Sequence, residues 1–193
     1  ISLIDKAKKQ SKQVVVSIYV NAKQFDSRKD FKKYPRNLNK DIIILKRKKI
    51  DYLYIPKEKD IYSFNVKNSI HLDKFCKKLC GRSRPGHFKA VVDVVNRFLE
   101  IIKPKSIYLG QKDFQQLSLI KSHIKKRKIK VKLIACPTIR ENNGLALSSR
   151  NTKLGSYQIL KAGKIYVYLR KNKKLILDKI LNNNKSQILN KLI

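Results

Sequence analysis

Short apolar runs alternate along this chain with longer segments in which apolar residues recur every three or four positions. The short runs are Val14-Val-Val-Ser-Ile-Tyr-Val20, Asp51-Tyr-Leu-Tyr-Ile-Pro56, Ser106-Ile-Tyr-Leu109 and Lys130 to Cys136. They lack strict apolar–polar alternation, which suits strands buried on both faces of a parallel sheet. Helical spacing is clearest over residues 87–102, where Phe88, Val91, Val92, Val95, Phe98, Leu99 and Ile102 share one face and Pro104 stops the run. Weaker helical patterns cover residues 1–11, 38–48 and the stretch after Gly110 to about Arg127. Strands alternating with helices predict an α/β fold with a parallel sheet. Residues 26–37, around Tyr34-Pro-Arg36, read as a loop. A short strand is expected near Ser63 to Val66, a helical turn over Phe75 to Leu79, and a loop at Gly81-Arg-Ser-Arg-Pro-Gly86. A boundary near residue 138 separates a domain of residues 1–138 from a small C-terminal piece, 139–193, of one or two helices.

Composition narrows the class. The 193 residues carry Lys+Arg 47 against Asp+Glu 13, a formal net charge of +34. Such a balance points toward nucleic acid when the charges gather in a stripe. Here they are spread, and lysine, isoleucine and asparagine are abundant together, as AT-rich codon drift would produce. Specific nucleic-acid binding is therefore not expected, although weak attraction to polyanions is. Cys76, Cys80 and Cys136 form neither zinc-ligand spacing nor a disulfide framework, which fits a reducing cytoplasm. No apolar run reaches the ~20 residues of a membrane span, and the first residues show no secretory signal pattern.

Polar clusters follow three of the strand ends: Asn21 to Gln24, Gly110 to Gln116, and Ile139 to Arg150. In a parallel sheet such ends converge on one crevice, where helix N-termini favour anions. Lys112, Arg150, Ser148 and Ser149 would suit a polyphosphate, supplying cations and hydroxyls. Gln24 and Gln116 would suit hydroxyl or carboxylate groups of a small polar substrate. Plainer readings stand beside these. Asp113 and Gln116 match a helix capping box, and Ser148-Ser149 match a helix cap. Arg82 and Arg84 could be surface arginines, and His87 could open its helix without chemistry. His71 and His123 read as structural or surface residues. Residue chemistry alone stops at an ATP- or nucleotide-using enzyme.

A resemblance goes further. Val15-Val-Ser-Ile-Tyr-Val-Asn-Ala-Lys-Gln-Phe25, Tyr34-Pro-Arg36, Gly81-Arg-Ser-Arg-Pro-Gly-His-Phe88, Gly110-Gln-Lys-Asp-Phe-Gln-Gln116, Pro137-Thr-Ile-Arg-Glu141 and Gly144-Leu-Ala-Leu-Ser-Ser-Arg-Asn151 occur in this order. Their order and spacing over residues 1 to about 155 resemble the pantothenate synthetase (pantoate–β-alanine ligase) family. The resemblance implies a Rossmann-like parallel sheet of the nucleotidyltransferase superfamily with a small C-terminal domain. It also implies condensation of pantoate with β-alanine through a pantoyl adenylate, with ATP as substrate and Mg2+ beside it. By matching position, Gln24 and Gln116 would contact pantoate and β-alanine, with Asn21 in the same site. Gly110, Gln111, Lys112 and Asp113 would bind ATP, Lys112 carrying the phosphate charge. Ile139 stands where the family has a valine that meets the nucleotide through its backbone. Leu147, Ser148, Ser149 and Arg150 would form a phosphate-binding segment, and Asp41 matches an acidic position associated with the metal. A homodimer is implied as well.

The family's His-x-Gly-His signature, whose second histidine is its proton donor, would precede Ile1 together with a central strand. No match to the family's closing segment is found after about residue 155. The expectation is thus a chain truncated at the N-terminus and shortened at the C-terminus. An inactive remnant is the alternative, and a basic nucleic-acid module a third reading.

Overall fold

The computed structural model describes residues 2–63 and 69–181 and divides into two compact units, Ile1–Pro137 and Thr138–Ile193. In the first unit, α1 (Ser2–Gln10) leads into β1 (Val15–Ser17), then α2 (Arg28–Lys33), α3 (Leu38–Arg47) and β2 (Tyr52–Tyr54). After α4 (Glu58–Tyr62) come α5 (Cys80–Ser83), α6 (His87–Ile102), β3 (Ser106–Gly110), α7 (Phe114–Lys126) and β4 (Lys132–Cys136). The second unit holds α8 (Ser156–Lys171) and α9 (Lys173–Leu181).

The strands are parallel, as their unalternating apolar runs implied, and they hydrogen-bond in two pairs. β1 lies beside β2 with Val16 opposite Leu53, and β3 beside β4 with Tyr108 opposite Ile134. No bond joins one pair to the other among the described residues. The first apolar run was expected to be a strand as far as Val20. It pairs only as far as Ser17, with one further bond from Ile18 N–H to the Tyr54 carbonyl at 3.0 Å. Beyond that point Asn21 caps a 3-10 turn at Ala22–Gln24, and the chain leaves the sheet.

The apolar face of α6 is the centre of the core. Phe88, Val91, Val92 and Leu99 pack with Leu119, Ile120 and Ile124 of α7, and Ile107, Leu109 and Leu133 of the second strand pair close over them. On another side of α6, Phe98 meets Tyr19 and Tyr54 edge-on, with centroids 6.3 and 6.1 Å away. One helix thus touches both strand pairs. It ends at Lys103, whose left-handed backbone lets its N–H reach the Leu99 carbonyl one residue before Pro104.

Three expectations are corrected. The loop expected at Gly81-Arg-Ser-Arg-Pro-Gly86 starts inside α5, which takes in residues 81–83 and leaves only residues 84–86 as the turn into α6. The loop assigned to residues 26–37 contains α2, missed because its six residues are nearly all polar and show no periodicity. The signal was the Ser27 cap, which accepts the Asp30 N–H at 3.1 Å. At the strand expected near Ser63, that residue instead closes α4, and residues 64–66 lie outside the described residues.

In the second unit a tight turn brings Arg140 opposite Ala146. Gly144 at its tip has φ +93, which favours glycine, and a Cβ there would press on Tyr166 at 3.0 Å. Gly163 of α8 lies so close to the turn that a Cβ would sit 2.5 Å from the Asn143 carbonyl oxygen. Arg140 stacks over the Tyr166 ring at 3.6 Å and donates to the Gly144 carbonyl.

Candidate functional site

Two of the predicted clusters lie in the first unit, and they are built differently. At the end of β1, Asn21 is only 2% exposed and its side chain is engaged at both ends. Its Oδ1 accepts from the Lys23 N–H at 3.2 Å and the Tyr62 hydroxyl at 3.1 Å, while Nδ2 donates to the Ala90 carbonyl at 3.4 Å. Burial, with Asp93 and Tyr19 nearby, pushes the Tyr62 phenol up to about 12, so the hydroxyl remains a donor at neutral pH. Asn21 therefore spends its polar atoms shaping the turn that carries Gln24, not facing outward. The Gln24 side chain makes no hydrogen bond among the described residues.

The backbone of Gln24 is gripped from the start of α6 and the residue three before it. Its carbonyl accepts from His87 Nδ1 at 2.7 Å and from Arg84 Nη2 at 3.1 Å. Arg84 also donates through Nε to Asp26 at 2.6 Å and through Nη1 to His87 Nε2 at 3.1 Å. The sequence left open whether Arg84 was a surface arginine and whether His87 had any chemistry. The signal for more was a histidine opening a helix just after an arginine- and glycine-rich loop.

The segment just before that loop, residues 75–80, is held in turn by Gln115. Its Oε1 accepts the Cys80 N–H at 3.1 Å, and its Nε2 donates to the Phe75 and Lys78 carbonyls at 2.8 and 2.6 Å. Gln115 is buried, whereas Gln116, the predicted contact, is half-buried one step round α7. Leu79 takes a strained φ of 47 beside this anchor. Gly81 admits no side chain, since a Cβ would overlap the Cys76 carbonyl oxygen.

The cluster after β3 is open by contrast. Gln111, Lys112 and Asp113 form an exposed 3-10 turn leading into α7, and Phe114 is 62% exposed. Asp113 occupies the N-cap position of α7 but makes no side-chain cap bond, which corrects the capping-box reading with Gln116. The N-terminus of a 13-residue helix is thus left with amide donors and the positive end of its dipole. Gly110 has an ordinary φ of −75, and a Cβ there would meet nothing within 4 Å. The fold itself does not require glycine at this position.

In the second unit, Ile139 and Leu147 are joined by the Leu147 N–H to the Ile139 carbonyl at 2.9 Å, so the turn delivers the Leu147-to-Arg150 segment directly. Ser148 caps a 3-10 helix at Ser149–Lys153 and accepts the Arg150 N–H at 3.2 Å, the plain role foreseen for a serine there. Ser149 and Arg150 are exposed. Asn151 ties the segment back through Nδ2 to the Ala146 carbonyl at 3.0 Å.

Asp41 lies exposed in the first turn of α3, where its N–H bonds to the Asn37 carbonyl. Among the described residues no group of three or more His, Cys, Asp or Glu could hold a metal. The side chains therefore do not fit a protein-built magnesium cage. No helix among them is long and apolar enough to cross a membrane.

Comparison with known proteins gives this geometry a context. A profile of the Pantoate-beta-alanine ligase family matches residues 1–192, well past the last of the quoted motifs. A pantothenate synthetase of Pseudothermotoga lettingae is 42% identical over 156 residues, covering 81% of this chain and 56% of its own length. One of Francisella tularensis subsp. novicida is 44% identical over 185 residues, covering 94% and 70%. A crystal structure of a Francisella tularensis pantoate-beta-alanine ligase, complexed with beta-gamma ATP and beta-alanine, superposes with a TM-score of 0.79 at 46% identity. That match covers 88% of this chain and 65% of the other. A Thermus thermophilus pantothenate synthetase gives 0.84 at 32%, covering 92% and 64%. The chain thus spans little more than half of the Pseudothermotoga relative and about two thirds of the solved structures.

Proposed function

The chain belongs to the pantoate–β-alanine ligase family, and from that premise we propose that it acts in the ATP-dependent condensation of pantoate with β-alanine to give pantothenate. In the first step a pantoate carboxylate oxygen attacks the α-phosphorus of ATP. The bond to the bridging oxygen breaks, pyrophosphate leaves, and a pantoyl adenylate remains. In the second step the free amine of β-alanine attacks the acyl carbon, the acyl–oxygen bond breaks and AMP departs. The amine proton passes to solvent or a base. Both steps depend on positioning and on neutralising phosphate charge.

Lys112 is assigned to the phosphates, with Gly110, Gln111 and Asp113 forming the backbone wall against ATP. From the second unit, Ile139, Leu147, Ser148, Ser149 and Arg150 are assigned to the nucleotide and its phosphates. Gln24 and Gln116 are assigned to pantoate and β-alanine, with Asn21 behind Gln24. A homodimer and a cytoplasmic setting belong to the same proposal.

The observation that carries the reading is the turn after β3. A lysine stands there at the start of an uncapped helix, after a glycine that the fold does not need. A backbone without Cβ at that point leaves room for a ligand to approach closely. Pantoate-dependent exchange of pyrophosphate into ATP tests the proposal on the full chain. Exchange supports it, and ATP binding without exchange points to the inactive remnant. Salt-sensitive retention of DNA or RNA that survives Lys112→Ala would favour a basic nucleic-acid module instead.

A further inference from the structure

The grip on Gln24 fixes a protonation state. Arginine can only donate, so the Arg84 Nη1 contact at 3.1 Å requires His87 Nε2 to be an acceptor. The proton of neutral His87 must then sit on Nδ1, where it donates to the Gln24 carbonyl at 2.7 Å. Arg84 Nη2 donates to the same oxygen, and the three groups close a ring. On the opposite side the Gln24 N–H bonds to the Asn21 carbonyl at 3.3 Å, with Asn21 itself buried. The backbone of Gln24 is therefore held at both its N–H and its carbonyl, while its side-chain amide is unbonded among the described residues.

We propose that Arg84 and His87 are positioning residues that lock the Gln24 backbone so that its side-chain amide is presented to the carboxylate substrate, and that only the neutral, Nδ1-protonated form of His87 completes the lock. The proposal rests on the reading of Gln24 as a pantoate contact. A second proton, on Nε2, would face the Arg84 guanidinium and remove its acceptor, opening the ring on one side. Several groups bear on this titration. Burial opposes the charged ring, and so does Arg84; the Gln24 carbonyl favours it, as do Asp26, bonded to Arg84, and Asp113 before α7. Burial is the largest influence, and the histidine is held below its ordinary value, so the lock is complete at neutral pH and opens in acid.

Two measurements on the full chain test this. The first is the 15N signature of the His87 ring, assigned by its loss in His87→Asn. A neutral ring protonated on Nδ1 at pH 7.5 is expected, and a ring protonated on Nε2 overturns the proposal. The second is pantoate affinity by calorimetry between pH 5.5 and 8, for the parent, His87→Asn and Arg84→Lys. The parent should bind more weakly as His87 becomes charged. Asparagine can still donate to the Gln24 carbonyl without titrating, so His87→Asn should lose no more than about tenfold at pH 7.5, the value of roughly one hydrogen bond. Its profile should be flatter than the parent's. Arg84→Lys should weaken pantoate by a similar factor while retaining the parent melting temperature. Pantoate binding with identical pH profiles in parent and His87→Asn overturns the role of the pair alone. No pantoate binding at any pH overturns the reading of Gln24, and the role of the pair with it, whatever the ring tautomer.

Discussion

The Gln24 corner and the Lys112 turn belong to the same unit and follow strands of the same kind, yet they are built in opposite ways. Around Gln24, a buried asparagine, a histidine and an arginine spend their polar atoms on the backbone, and Gln115 secures the segment of residues 75–80 that precedes two of them. Around Lys112 the turn is exposed and its helix N-terminus has no side-chain cap. A small polar substrate is distinguished by where a few hydrogen bonds point, so the residues that offer them need rigid support. A polyphosphate is held by charge and by amide donors that a helix start already provides. The difference teaches that most of the polar residues near the first site serve its geometry, whereas the second is an exposed turn at an uncapped helix start.

This contrast can be broken at several points. The largest effect is expected from Lys112→Ala, which should reduce pyrophosphate exchange by about 10^2- to 10^3-fold, as loss of a charge-stabilising donor does, without moving the melting temperature. A fall in stability comparable to the fall in exchange would make Lys112 a structural residue. Next comes Gly81→Ala on the supported side. The new methyl would strike the Cys76 carbonyl, and urea unfolding should show a loss of about 1–3 kcal/mol. An unchanged midpoint would show that the loop yields freely.

Gly110→Ala sharpens the comparison, because it should leave stability unchanged and still weaken ATP by about tenfold, or 1.4 kcal/mol. Equal ATP affinity in parent and variant would remove the argument from the open space beside Gly110. Ser148→Ala tests the second unit. Loss of its cap should cost about 0.5–1 kcal/mol in thermal unfolding.

The smallest effect is one of pH. His123 is buried, accepts the His71 N–H at Nδ1 and so donates from Nε2 to Asn96 Oδ1 at 2.9 Å. Burial first, then Arg127 and His71, hold it below the ordinary 6.5. The unfolded chain then takes up the proton first. The stabilisation from neutral His123 should be complete above pH 6.5 and lost as the pH falls toward the folded value. Urea midpoints should decline below about pH 6.5 in the parent and less steeply in His123→Gln. Parallel slopes in the two would show that His123 does not carry the effect.

Much of the scaffold was legible because its signals are local. The face of α6 follows from a repeat of about 3.6 residues, its end from Pro104, and the strands from short apolar runs without strict alternation. Where local signals were weak or ambiguous, the reading failed: α2 has almost no apolar residues, and Asp113 followed by Gln116 imitates a capping box. The motifs also placed the candidate residues at strand ends, since parallel strands must turn into helices on one side of the sheet.

What the sequence determined by itself is therefore the α/β class, the main elements and the family to which the chain belongs. Tertiary structure alone decided what each polar side chain does. Asn21 turns inward because Tyr62 and Ala90, far away in the chain, present partners to it. Gln115 rather than Gln116 anchors residues 75–80 because one helical step rotates a side chain from the interior to its edge. His87 is fixed as one tautomer only because folding brings Arg84 and the Gln24 carbonyl to its two nitrogens. Periodicity is written in near neighbours, but a hydrogen bond between distant residues exists only once the chain has closed on itself.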